Sequence, residues 1–378
     1  FPFAGQNGIG YSNILGNPDL KPEQVVGKEV GLDLRFFQGR INVDLTLYNQ
    51  TTTDILVQRP LPSSSGFRTV QSNSGEMENK GIEILLSGSP IVTSDFRWDI
   101  AVNYSRNRSE VLALAQGVDE VEIASAFTSI GSYAIVGDPY GAFYGTKWER
   151  TPDGQLIIGD DGLPLVQLEN GGIGNPFPDW QSNIRNTFTY KGISLTALFD
   201  IREGGDIYAG TFARLNRMGK TEASADRLRP FLVEGVLAEY DSDGNVVYET
   251  DGARAGLVKY SDEENTRQIS ASSYWQNYKG DFAAAEEIVT DGSWIRLREL
   301  SLNYRWNLSK VNEFVEYVDF TATGRNLWLK TDYPGVDPET SLTGAGGDPE
   351  AIGGALTGFD YFNNPSTRSY ILSLRFGF

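Results

Sequence analysis

Cysteine and histidine are both absent from the 378 residues, and methionine occurs only twice. Without cysteine no disulfide or thiolate metal site can form. Without histidine the usual general base at neutral pH and the commonest metal ligand are missing, so a Ser-His-Asp triad and a His-based zinc site are excluded. Chemistry based only on carboxylates or lysine stays open in principle. Long apolar runs are lacking too: none approaches the ~18 residues of a spanning helix. Phe1-Pro-Phe-Ala carries no signal-peptide pattern, so a secreted or membrane-inserted protein would have the start of its gene product outside this chain. Positive charge is scarce, with 32 Lys and Arg against 50 Asp and Glu. The deficit is local: residues 110–178 hold ten acids against two bases, 203–290 sixteen against nine, and 330–365 six against one. A strongly acidic surface argues against nucleic acid as a partner.

What is present, and in quantity, is alternation. In the last stretch Tyr370, Leu372, Leu374, Phe376 and Phe378 share one face, and Ser369, Ile371, Ser373, Arg375 and Gly377 the other. Successive strand side chains point to opposite faces, so a period of two describes one apolar and one mostly polar surface. The same pattern recurs at Val30–Phe36, Ile41–Leu47, Ile82–Leu86, Phe96–Tyr104, Ile184–Tyr190, Ile193–Ile201, Leu300–Trp306 and Val318–Ala322. Short connections (38–39, around 89–94, 191–192 and 307–314) alternate with long ones (roughly 59–80, 109–178, 203–290 and 330–365). The three acidic segments coincide with the three longest connections.

Outer-membrane barrels combine short periplasmic turns with long extracellular loops, and alternate apolar-out with polar-in. Aromatics near strand ends, among them Trp98, Tyr104, Tyr190, Tyr304, Trp306 and Trp328, suit interfacial girdles. The fold expected is all-β: a transmembrane antiparallel β-barrel in the bacterial outer membrane. A soluble sandwich explains the alternation but not the long/short asymmetry. Nine strands cannot be the whole object, because an open sheet in lipid leaves two edges of unsatisfied backbone groups. The expectation is therefore one partial barrel domain over 1–378, a C-terminal segment completed by strands from elsewhere.

Several stretches resemble the C-terminal half of the SusC/RagA family, TonB-dependent outer-membrane importers of Bacteroidetes. They are Asn17-Pro-Asp-Leu-Lys-Pro-Glu23 with Glu29-Val-Gly-Leu-Asp33, Asn79-Lys-Gly-Ile-Glu83, Ile173-Gly-Asn-Pro-Phe-Pro-Asp-Trp180, Asp291–Tyr304, Gly324-Arg-Asn-Leu-Trp328, Asp332-Tyr-Pro-Gly-Val-Asp-Pro-Glu339 and the terminal Ser369–Phe378. The resemblance implies a barrel of about 22 strands with an N-terminal plug. It also implies active import of a large nutrient, an oligosaccharide or peptide, energised through TonB by way of the N-terminal part. A SusD-like surface lipoprotein would act as lid. The rival is a passive structural or adhesive barrel, which a plug and a TonB-contacting segment in the full gene would separate. No enzymatic activity and no cofactor are expected.

Three constellations have competing accounts. Asp153–Gly162 and Asp241–Gly252 set carboxylates around Asp-Gly turns, as a calcium loop does, but the second has Val246 where a sharp turn needs glycine and Gly252 where a bidentate Glu belongs. Hairpin turns explain both, and no metal site is expected. Tyr140, Phe143, Tyr144 and Trp148 could stack on sugar rings, or pack against the plug or neighbouring loops. Asp206–Met218 reads as a short helix; by the resemblance its Tyr208, Phe212 and Arg214 would meet the lid lipoprotein, and packing within the loop is the alternative. The adjacent acids Glu286-Glu287 read as solvated loop charge.

Overall fold

Nine long strands lie side by side in chain order, every neighbouring pair antiparallel. They are β1 (Gln24–Phe36), β2 (Ile41–Thr53), β3 (Glu76–Val92), β4 (Phe96–Ala113), β5 (Trp180–Tyr190), β6 (Ile193–Glu203), β7 (Trp294–Asn307), β8 (Tyr317–Thr331) and β9 (Ser369–Gly377). This computed structural model describes residues 2–3, 6–7, 13–115, 117–308, 314–339, 342 and 356–378. The turn expected at 307–314 falls largely outside them. The other short turns have the required chemistry: Lys191 and Gly192 have φ 44° and 87°, the positive pair of a type I′ hairpin, and Phe37, Gln38 and Gly39 all have positive φ.

The register turns nine separate alternations into one surface. Leu34 faces Val43, Val43 faces Leu86, and the row continues through Val102, Ile184, Phe199 and Leu297 to Trp328 on β8. A second row runs Leu195, Leu302, Ala322, Leu372. Among the described residues nothing covers this face: Val30 is 66% and Leu372 86% exposed. Its only mid-strand amide, Asn186, accepts a hydrogen bond from the Trp98 indole at 3.1 Å. The opposite face carries ion pairs and hydroxyl ladders: Arg97–Asp99, Arg305–Asp319, Arg325–Glu299, Ser301–Thr323 and Thr187–Thr196. An apolar face toward lipid and a polar face toward a lumen is the arrangement of a membrane barrel wall.

Two departures from strict alternation matter. On β7, Ile295 and Leu297 share the apolar face with Leu300 and Leu302, which two-residue spacing forbids. A register shift beside Arg298 absorbs the odd residue and places Arg298 and Glu299 together on the polar face, bonded to Asp200 and Arg325. Second, β3 and β4 run to 17 and 18 residues, where about 9–11 cross a bilayer. The apolar run of β3 begins at Ile82, yet its hydrogen-bond ladder starts at Glu76. The first long connection therefore spans 54–75, about five residues earlier than the sequence suggested and of the same length.

Leu302→Arg, on the lipid face near mid-strand, is expected to cost about 2–4 kcal/mol, and Thr321→Arg on the lumen face less than about 1 kcal/mol. Urea titration of the full-length protein refolded into vesicles measures both.

Candidate functional site

The three long connections between β4 and β9 fold into one body above the lumen wall. A strand at Asp206–Ala209 pairs antiparallel with Val289–Asp291 and parallel with Phe359–Asp360, tying the third loop to the fourth. Phe143 from the second loop, Tyr208 from the third, and Tyr333 and Phe359 from the fourth meet in a shared core with Ile207, Ala285 and Leu356. Phe143 lies edge-on to Phe359 at 4.9 Å. Below it, the Gly174-Asn-Pro-Phe177 segment is held from both ends. Asn175 and Asp206 exchange backbone hydrogen bonds, one to the Asp206 carboxylate at 2.7 Å, and Arg202 on β6 donates to the Pro176 carbonyl at 2.6 Å.

The fourth loop is fixed by ion pairs on the β7 bulge. Arg296, 3% exposed, donates to Asp337 and to the Ser366 hydroxyl, both at 2.5 Å. Arg298 bonds Asp200, Glu339 at 2.6 Å and Asn326 at 3.3 Å. Burial by itself would raise the Asp337 carboxyl; bonds from Ser366, the Glu339 N–H and Arg296 outweigh it and hold it below the usual carboxylate range. These residues were not singled out in the sequence. The phase slip between Leu297 and Leu300, with arginines on either side of Leu297, is the signal that could have found them.

The aromatic run splits. Phe143 is fully buried in the loop core. Trp148 is 2% exposed: its backbone N–H donates to Glu286 at 3.1 Å, its indole to Glu287 at 3.3 Å, and its ring lies 6.1 Å from that of Tyr278. Glu286 and Glu287 are thus clamps joining 146–150 to 279–287, also holding Arg150 and Lys279; the expectation of solvated charge fails because both face a buried tryptophan. Tyr140 and Tyr144 keep accessible surface. Tyr144 packs against Tyr133 at 4.8 Å, and burial with a hydrogen bond to Glu120 pushes its phenol up to about 12. Tyr140 borders a cavity of about 460 Å³ whose floor is lumen wall, with Tyr48, Asn79, Glu83, Asn107 and Phe177 around it. Tyr48 lies across Gly81, where any Cβ would meet the ring at 2.5–2.6 Å, and its hydroxyl bonds Asn107 at 3.1 Å. Packing of this ring accounts for the glycine in Asn79-Lys-Gly-Ile-Glu83.

The expected helix forms as α1 (Gly210–Arg217), entered from the strand at Asp206–Ala209. Tyr208 is buried, Phe212 half-buried against the same core, and Arg214 pairs with Asp281 at 2.5 Å. Past α1, Met218 and Phe282 are exposed, with Arg217 stacked 3.7 Å over the Phe282 ring. The Asp-Gly segments fold on themselves: Asp241 accepts the N–H groups of Asp243 and Asn245, both at 2.9 Å, and Asp153 accepts the Thr151 hydroxyl at 2.6 Å.

A continuous lipid-facing belt, a polar lumen face and a loop body over one rim define an outer-membrane barrel wall, and comparison with known sequences decides which kind. The family described as "TonB dependent receptor-like, beta-barrel" matches residues 1–327. The chain belongs to that family. It is 28% identical to TonB-dependent receptor P3 of Formosa agariphila over 98% of this chain and 36% of the relative. It is 26% identical to TonB-dependent receptor SusC of Bacteroides thetaiotaomicron, over 85% of this chain and 30% of that protein. Among solved structures it superposes on the RagAB peptide transporter with a TM-score of 0.62 at 19% identity, covering 96% of this chain and 36% of that one. The chain thus spans about a third of the length of these relatives, as a C-terminal barrel portion, and resides in the outer membrane. Members of the family are transporters rather than enzymes.

Arg296→Met, which strands the Asp337 carboxylate, is expected to cost about 3–5 kcal/mol in the tethering of the fourth loop. Limited proteolysis should then cut within 332–339 while the barrel stays folded. Because the Asp337 carboxyl is depressed in the folded state, its stabilisation is present above the unfolded value of about 3.9 and disappears as pH falls through the folded one. The wild-type loop should become cleavable only under that acid condition.

Proposed function

We propose that residues 1–378 form a single partial barrel domain of a TonB-driven importer of a large nutrient, an oligosaccharide or peptide. The remaining strands and the plug come from the rest of the protein. The observation that carries this reading is the pairing of the family match with a polar lumen wall roofed by an interlocked loop body. A passive adhesin has no need of a cavity under its loops lined by tyrosines and amides.

In this reading Tyr140 and Tyr144 offer ring faces to the passing ligand, and Phe143 and Trp148 hold them in place from within the loops. A SusD-like surface lipoprotein closes over the loop body near α1. Tyr208, Phe212 and Arg214 fix that helix, and the exposed Met218 and Phe282 beside it give the lid an apolar foothold.

The test uses the whole gene product in its own membrane, measuring uptake of labelled oligosaccharides and peptides with and without functional TonB. Loss of uptake without TonB is expected; unchanged uptake would sink the importer reading in favour of a passive barrel. Tyr140→Ala and Tyr144→Ala should each weaken ligand binding by about 0.5–1.5 kcal/mol without loosening the loops. Phe143→Ala should instead cost about 3–5 kcal/mol of loop stability, read by proteolysis. Equal destabilisation by all three would assign the whole run to packing.

A further inference from the structure

On the outer surface, the apolar belt of β1–β4 ends abruptly and the residues that follow it are cations. Val30, Leu47 and Ile82 form the last apolar row, and this row meets Arg106 on β4. One step farther toward the long-loop side the row reads Lys28, Asn49, Lys80, Arg108. All of these share the parity of the lipid-facing side chains. On β1, β3 and β4 alike, the first charged residue above the apolar run is therefore a cation. Strands lie about 4.8 Å apart, so the row from Lys28 to Arg108 is roughly 14 Å wide. Beside it, Tyr104 stacks on Trp180 at 5.8 Å, a pair of the kind that marks the membrane–water boundary.

The acids near this row stand on its far side. Glu78 and Glu110 face each other one step beyond it, and Asp179 precedes β5. Glu78 holds Lys80 at 2.9 Å and Asn49 at 2.7 Å, and Asp179 holds Arg108 at 2.6 Å. Lys28 and Arg106 have no ion-pair partner among the described residues. In a chain of net charge −18, an exposed cationic row between hydrocarbon and acids is an exception that the importer reading does not use. The polar lumen face lies on the other side of the wall.

We propose that Lys28, Lys80, Arg106 and Arg108 form an exterior docking site for the phosphate of a lipid headgroup in the extracellular leaflet. The lipid's chains lie along Val30, Leu32, Leu47, Ile82 and Ile84. Guanidinium and ammonium groups donate to phosphate oxygens with charge-assisted bonds, and the apolar belt directly beneath sets the depth at which such a group sits. A free anion would have no reason to prefer this height, whereas a membrane lipid is held there by its chains.

The experiment uses the full-length protein in detergent, incubated in turn with bisphosphorylated lipid A, with phosphatidylcholine and with inorganic phosphate. Bound lipid is counted by native mass spectrometry. Wild type should retain lipid A in preference to phosphatidylcholine, and Lys28→Gln/Lys80→Gln/Arg106→Gln should lower that retention about tenfold or more. The charge-preserving Lys28→Arg/Lys80→Arg/Arg106→Lys should keep it. Heat-modifiability on gels checks that each variant is folded. Should the Gln variant fail to fold, wild type carries the test: raising salt from about 0.05 to about 0.5 M should strip lipid A several-fold. Undiminished lipid A on the folded Gln variant, retention indifferent to salt, equal retention of phosphatidylcholine, or displacement by millimolar inorganic phosphate would each overturn the proposal.

Discussion

Every peptide N–H and C=O that enters hydrocarbon must find its partner within the protein, since each left unpaired costs several kcal/mol. The unbroken meander of β1–β9 meets that demand for all the strands between its two edges. The rest of the architecture follows from it. Once the ladder fixes the strands, side chains can only point to lipid or to lumen, and the sequence alternates accordingly. Wherever a residue must break the alternation, as at Arg298, a bulge has to take up the difference. Among the described residues, the outer edges of β1 and β9 are the two places where the demand is unmet, and pairing with strands outside this sheet is the natural way to meet it.

The strand count, the order of short and long connections and the orientation of the faces were all legible in the sequence. The medium is apolar, so it imposes the period-two pattern directly on residues such as Leu32, Leu34, Leu372 and Leu374. Strand length was not legible. Above Ile82 the surroundings are aqueous, the outward positions become Lys80 and Glu78, and hydropathy no longer distinguishes a strand from a loop although the backbone pairing continues. Roles within the loops were legible only in part. Phe143 and Tyr144 are neighbours of similar character, and which one is buried depends on Phe359, more than two hundred residues away. Arg296 and Arg298 look like ordinary lumen residues until Asp337, Glu339 and Ser366 are brought over them.

The charge distribution repeats this division of labour. Within the wall, acids and bases pair across neighbouring strands, as Asp319 does with Arg305 and Glu299 with Arg325, so the lumen surface is polar without a strong field of one sign. In the loops, Glu286 and Glu287 anchor Trp148 and Arg150 of another loop, Asp281 holds Arg214 and Arg217 within its own, and Asp360 accepts from Tyr333 of its own loop and from the Thr211 hydroxyl of the third. A minority of the loop acids is therefore structural; most of the described ones, those of the Asp241 and Asp153 turns among them, face solvent.

The core shared by Phe143, Tyr208 and Phe359 has a bearing on how such a protein can diversify. Each of these rings covers surface belonging to the other two loops, so replacing one loop with a sequence of another length would uncover apolar area in its neighbours. Changes of cargo over this part of the mouth are then confined to two routes. Either single residues on the accessible rim are exchanged while the core is kept, or all three loops are inherited together as one cassette.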